Sequence, residues 1–167
     1  MSNIVIRRAA RADAEALLAI YNHYVAETHI SFDIAPRTLE HRIAWLDGFS
    51  HTGRYQCFVA DRDGNAIGWA SSSRFKDRAA YDTSIETSIY LAPGESGKGL
   101  GRRLYQMLFD ALSGEDIHRC YGVIGLPNEA SIGLHLAMGF RHIGTQTEVG
   151  RKFGRFWDVG WYEKPLV

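Results

Sequence analysis

At 167 residues the chain is long enough for one domain that buries roughly two thirds of its unfolded surface, and its 46% apolar and 23% charged content excludes disordered and fibrous classes. Nineteen basic residues balance nineteen acidic ones, so no global field draws the chain to nucleic acid or to an anionic membrane. Any anion site has to be local.

In chain order, NIVIRRA reads as a short strand, and RADAEALLAIYNHYVAE as a helix with Ala14, Leu17, Leu18, Tyr21 and Val25 on one face and Asp13 as its cap. After the loop SFDIAPR, the stripe Leu39, Ile43 and Leu46 predicts a second helix in TLEHRIAWLDGF. The period then falls to two: YQCFVADRDGNAIGWASSSRF predicts two strands joined by a turn at DRDGN. YDTSIETSIYL alternates cleanly, sending Thr83, Ile85, Thr87, Ile89 and Leu91 to one face and Ser84, Glu86, Ser88 and Tyr90 to the other. The glycine-rich stretch APGESGKGLGRRL follows, and then a helix marked by Leu100, Leu104, Met107 or Leu108, and Ala111 or Leu112, ending near Gly114. RCYGVIGL is a buried strand, NEASIGLHLAMG a helix capped by Asn128 and closed by Gly139, and FRHIGTQTEVG and GRFWDVGWYEK are closing strands.

The aromatic run KFGRFWDVGW is assigned mostly to core or sheet face. Cys57 and Cys120 lie in strand-like segments without paired spacing and read as buried free thiols. MSNIVIRRAA lacks the apolar core of a signal peptide, and no apolar run approaches ~18 residues, so a cytoplasmic protein with no membrane partner is expected. The element order is mixed α/β (α+β), one domain over 1–167, with a strand–loop–helix unit at its centre.

That loop admits several anion readings. A nucleotide P-loop needs a glycine where Ala92 stands and a hydroxyl where Gly99 stands, and no later strand ends in the aspartate that would hold magnesium from the other side. A dinucleotide fingerprint fails as well: Gly97, Gly99 and Gly101 give G-x-G-x-G, and Tyr121 occupies the place of the ribose-binding acid. What remains is a turn whose backbone N–H groups and helix N-terminus suit a polyphosphate, or a plain turn with solvated arginines. Arg102 and Arg103 favour the first, because cations in a first helical turn oppose the dipole by a few tenths to ~1 kcal/mol each until an anion arrives.

SGKGLG, Ser96 to Gly101, resembles the [R/Q]-x-x-G-x-[G/A] loop of the GNAT family of N-acyltransferases, which also follows a long strand and opens a helix; Ser96 stands where that family usually has Arg or Gln. YNHYVAET, AAYDTSIETSIYL, GLPNEASIGLHLAMGF and VGRKFGRFWDVG are similar in content, order and spacing to the phosphinothricin and methionine sulfoximine acetyltransferases within it, so the resemblance covers nearly the whole chain. It implies a GNAT-type fold, a central, mostly antiparallel sheet flanked by helices, with acetyl-CoA as co-substrate. Ser96, Gly97, Lys98, Gly99, Leu100, Gly101 and Arg102 would hold the diphosphate, with Arg103 adding charge. The pantetheine arm would lie strand-like along the backbone of Ile89, Tyr90 and Leu91, with carbonyl-oxygen donors near Ile89 or Tyr90. Asn128 and Ser131 would be further coenzyme contacts. A homodimer is implied too.

Acetyl transfer to an amine requires that the ammonium proton be removed. Glu86 is the one carboxylate on the polar face at mid-strand, where partial burial would raise its pKa, and the resemblance assigns this position the general-base role, through water. Many members of the family carry a tyrosine on the helix after the fifth strand; here His135 stands there, on one helical face with Asn128 and Ser131, and is expected as an acid or proton relay. The acceptor pocket is expected at SRFKDRAAY, where Phe75, Lys76, Arg78 and Tyr81 offer a basic, aromatic setting for an amino acid's carboxylate, with Phe32 as the other wall. The expected substrate is a small amino acid analogue acetylated on its α-amino group. A non-catalytic acyl-CoA-binding module, and an N-acetyltransferase for a protein N-terminus or a polyamine, stay open. No histidine spacing suggests a metal, and none is expected.

Overall fold

The computed structural model describes residues 3–166. The elements are β1 (Ile4–Arg8), α1 (Ala14–Glu27), α2 (Leu39–Asp47), β2 (Cys57–Arg62), β3 (Asn65–Arg74), β4 (Ser84–Leu91), α3 (Leu100–Leu112), β5 (Arg119–Gly125), α4 (Glu129–Ala137), β6 (Arg141–Lys152) and β7 (Arg155–Pro165), with 3-10 turns at Arg11–Asp13 and Ala79–Tyr81. This is the predicted order. One seven-stranded sheet runs β1-β2-β3-β4-β5-β7-β6, antiparallel at every junction except β4–β5. No described helix is long and apolar enough to cross a membrane.

Strand alternation divides the core between the two faces of the sheet. On β2, Cys57 and Val59 turn toward α1 and α2, where they meet Leu17, Ile20, Leu46 and Trp69; Phe58 and Ala60 turn toward α3 and meet Leu104 and Leu108. The ambiguous positions of α3 resolve to Leu108 and Leu112, both buried, while Met107 faces outward. Each fully buried leucine of that stripe contributes about 1.5–3 kcal/mol. On α1 the buried position is Ile20 rather than Leu18, which is half-buried. Cys57 and Cys120 are free and buried.

One expectation is corrected. Asp13 makes no side-chain cap to α1: its carboxylate accepts from the N–H of Ala10 at 2.8 Å and from both Arg7 terminal nitrogens at 2.8 and 2.7 Å, so a cation on β1 competes for the acid that would have capped the helix. The aromatic run is sheet face more than core: it falls on the end of β6 and on β7, with Phe153 and Phe156 each 56% exposed and Lys152 only 6% exposed. Thr38 and Asn128 do cap α2 and α4, accepting from His41 N and Ser131 N, both at 3.2 Å.

β4 and β5 pair only from Ser84↔Arg119 to Thr87↔Gly122. Beyond that seam β4 follows β3 as far as Leu91 and β5 follows β7 as far as Gly125, so the two strands part.

Candidate active site

The parting of β4 and β5 opens a cleft of about 470 Å³. It is bounded by Thr87–Leu91, by Val123–Gly125, by the N-terminus of α3, and by Asn128, Ser131, Leu134 and His135 of the α4 segment, with Tyr24 and Ile30 from α1 and its following loop. Of the residues expected at a coenzyme site, Ile89, Tyr90, Leu91, Ser96, Gly97, Gly99, Leu100, Gly101, Arg102, Asn128 and Ser131 meet here; Lys98 does not.

The backbone of β4 presents alternate groups to the gap. Ala92 N–H donates to Ile67 O at 2.8 Å, and the antiparallel ladder carries that pattern back through Tyr90 and Ser88, whose backbone groups face β3. Ile89 and Leu91 therefore turn their N–H and C=O toward β5. Tyr24 OH donates to Leu91 O at 2.7 Å. The expectation that Tyr90 supplies a backbone donor is thus corrected: its peptide groups serve the ladder, and its ring stacks on Trp69 at 4.9 Å.

At the mouth of the cleft, Gly97 and Gly99 hold left-handed conformations, φ +78° and +74°, and Gly99 is the N-cap of α3. No side chain caps that end and its first turn holds no acid, so the first N–H groups and the helix dipole are left for an anion. The charges around the loop are not all where the sequence put them. Lys98 pairs with Glu95 at 3.3 Å, and Arg103 donates to Ile4 O on β1 at 2.8 Å, so Arg102 is the cation that lines the cleft. Arg62 grips Glu95 with two bonds of 2.8 and 2.7 Å and, with Lys98, holds its carboxyl at about 2. Glu95 sits within the quoted loop, but its partner is 33 residues away, and no local spacing announces the pair.

At the inner end a buried hydrogen-bond chain joins four elements, α4, α3, β4 and β5. Ser131 O can only accept, so the His135 Nδ1 at 2.8 Å carries the proton, and Nε2 accepts from Tyr105 OH at 3.0 Å. Tyr105 Oη lies 3.4 Å from Thr87 Oγ1, which also receives the Cys120 thiol at 3.5 Å. Burial keeps His135 below the usual imidazole range, raises Tyr105, and pushes the Cys120 thiol up to about 12. His135 is thus a neutral ring with both nitrogens engaged inside the protein. Its one proton, on Nδ1, is held by Ser131 O, so the acid or relay role expected for His135 requires that bond to break and Tyr105 to supply a proton to Nε2; at rest its geometry is that of a strut. Tyr105 went unnoticed because it continues an apolar stripe and reads as core. Tyr105→Phe leaves His135 Nε2 without its donor and is expected to cost about 1–3 kcal/mol, or ~2–4 °C of Tm per kcal/mol at this chain length, in a thermal melt.

Glu86 lies on the opposite face of the sheet, because Ile85 and Thr87 on either side of it turn toward α3. It is half-buried, and burial alone raises its pKa. In register beside it, Tyr121 stacks on Phe75 at 4.3 Å, and Phe75 meets the edges of Tyr81 at 5.8 Å and Trp161 at 6.2 Å. Lys76 Nζ lies over the Phe75 and Tyr81 rings at 5.0 and 5.2 Å. Phe75, Lys76, Arg78 and Tyr81 thus come together as expected, in a recess of their own with Arg74 and Asp77. Phe32 is not part of it; its ring lies against Gly125 at the end of β5. Among the described residues no cluster of three or more His, Cys, Asp or Glu could hold a metal ion.

Comparison with known proteins places these features in context. Residues 6–161 match the family described as an acetyltransferase (GNAT) domain. The chain is 50% identical to a phosphinothricin N-acetyltransferase of Streptomyces coelicolor, over 99% of this chain and 98% of that one. It is 35% identical to an L-methionine sulfoximine/L-methionine sulfone acetyltransferase of Pseudomonas aeruginosa, over 92% and 90%. A crystal structure of a GNAT superfamily phosphinothricin acetyltransferase from Sinorhizobium meliloti, in complex with acetyl-CoA, superposes with a TM-score of 0.91 at 31% identity, covering 97% of this chain and 88% of that one.

Proposed function

The chain belongs to the GNAT acetyltransferase family and is an N-acetyltransferase, and from that premise we propose that it acetylates the α-amino group of a small amino acid analogue of the phosphinothricin or methionine sulfoximine kind. The observation that carries the reading is the continuous cleft from the uncapped, glycine-lined N-terminus of α3 to the seam where β4 and β5 part, one residue from Glu86. Members of the family use acetyl-CoA, which supplies an acetyl group already activated as a thioester.

The N–H groups of Gly99 to Arg102, with the Arg102 guanidinium, hold the diphosphate. Lys98 joins them only by leaving Glu95. Ile89 and Leu91 offer N–H groups along the gap, where one can donate to a carbonyl oxygen as it gains charge. Asn128 and Ser131 line the opposite wall. On the other face Glu86 takes the ammonium proton through water, its burial-raised pKa bringing it closer to the working pH. Lys76 and Arg78 meet the acceptor's carboxylate; such a basic recess is the wrong sign for a polyamine. We read the chain as a homodimer that pairs through the exposed apolar residues Val149, Phe153 and Phe156, and as cytoplasmic, which fits its two free buried thiols.

The test is release of free thiol from acetyl-CoA across phosphinothricin, methionine sulfoximine, ordinary amino acids, short peptides and spermidine. The reading expects the highest kcat/KM with the two analogues. Faster turnover of a peptide or of spermidine would overturn the acceptor assignment, and tight acetyl-CoA binding without turnover of any amine would make the protein a binding module.

A further inference from the structure

We infer that Gly150 and Lys152 of β6 are positioning residues for the acceptor: together they seat the segment from Thr28 to Asp33 so that Phe32 forms a wall of fixed place beside the cleft. This deepens the acetyltransferase reading and rests on it.

The segment leaves α1 and is laid across the end of β5. A Cβ on Gly125 would lie 3.1 Å from His29 O and 3.5 Å from the Phe32 ring. Gly125 and Ile30 both line the cleft, so this segment borders it. Four contacts fix it there. The His29 ring stacks on Trp157 of β7 at 4.2 Å and 6°, and its Nε2 lies 2.8 Å from Pro127 O. Tyr21 OH donates to Asp33 at 2.6 Å, and Arg37 holds the same carboxylate at 2.8 and 2.7 Å. Lys152 Nζ donates to Ser31 O at 2.6 Å. The fourth is steric: the Phe32 ring rests on the bare backbone of Gly150, where an added Cβ would stand 2.1 Å from Cε2 and 2.6 Å from Cδ2.

Two features mark the last pair as more than ordinary packing. Lys152 is 6% exposed and spends a buried ammonium on a backbone carbonyl, although methionine would fill the same volume without losing the hydration of a charge. Gly150 stands where β6 rejoins β7 after a register shift between Gln146 and Gly150, so the hairpin is bent at the point that meets Phe32. Phe32 remains 38% exposed despite this support. Ring position, and with it the room for an acceptor side chain, is thereby set from a strand more than a hundred residues further along the chain.

Gly150→Ala is expected to raise the acceptor KM by about tenfold or more while the acetyl-CoA KM stays unchanged. In a Phe32→Ala background, where the clashing ring is gone, the same substitution is expected to have no further effect. Lys152→Met should move the acceptor KM in the same direction, and Lys152→Arg should recover part of it; this pair also decides the matter if Gly150→Ala does not fold. An unmoved acceptor KM in both single variants overturns the inference. So does an effect of Gly150→Ala that persists undiminished without the Phe32 ring, or a parallel rise in acetyl-CoA KM. Absence of turnover in the wild-type protein with every amine would instead overturn the acceptor reading itself.

Discussion

Glu86→Gln is expected to lower kcat by about two to four orders of magnitude while leaving the affinity for acetyl-CoA unchanged. The two effects separate because the carboxylate lies on the face of the sheet away from α3 and α4, beside Tyr121 and the Phe75 recess, and Glu86 is not among the residues that line the coenzyme cleft. Burial raises the pKa of Glu86, and the base must be ionised to work, so the acid limb of the wild-type kcat/KM profile should lie above the ordinary carboxylate range and be absent from the residual activity of the Gln variant. Stability runs the other way. A carboxyl whose folded pKa exceeds its unfolded one contributes fully below the unfolded value, and that contribution is lost as pH rises through the folded value. At neutral pH the Gln variant should therefore melt no lower than the wild type. Thiol-release kinetics, calorimetric titration with acetyl-CoA and a thermal melt read the three quantities; an unaltered kcat would remove Glu86 from the chemistry.

Gly99→Val is expected to weaken acetyl-CoA binding by about ten- to a hundredfold, with the larger part of kcat retained at saturation. At φ +74° a β-branched residue is strained by about 1–3 kcal/mol, and the loop can relieve that strain only by turning the N–H groups of the α3 N-terminus out of their common direction. Nothing lies within 4 Å of a Cβ at Gly99, so the cause would be backbone conformation and not a clash inside the protein. Titration with coenzyme A and with its dephospho form reads the loss. An unchanged affinity would mean that the diphosphate rests elsewhere.

Much of this site was legible because its signals are local. Glu86 stood out by the period of two that sets it on a polar face, and Gly97 and Gly99 because a chain that must turn left-handed twice before a helix uses glycine. The fold's element order followed from periodicity together with turn and cap residues. What could not be read is whatever depends on distant partners. That β7, and not β6, would lie beside β5 is invisible in a hairpin whose two strands carry similar patterns. Asp13 looked like a cap until Arg7 claimed it, Lys98 looked free until Glu95 did, and the hydrogen bonds of His135 to Tyr105 and Ser131 were not announced by its helical spacing. Local pattern names the polar residues; tertiary contact decides which of them still have a proton or a charge to spend.

The short parallel seam between β4 and β5 has a bearing on how the molecule hangs together. Strands β1 to β4 form one antiparallel half of the sheet and β5 to β7 the other, and four residue pairs of parallel ladder join them, backed by the Thr87–Tyr105–His135 strut. A ligand arm lying in the gap would offer hydrogen bonds to both flanking backbones, as a missing rung does in a ladder whose rails have begun to spread. The donor of the acetyl group would then also be a fastener, coupling two halves of the sheet whose ladder closes at one end only.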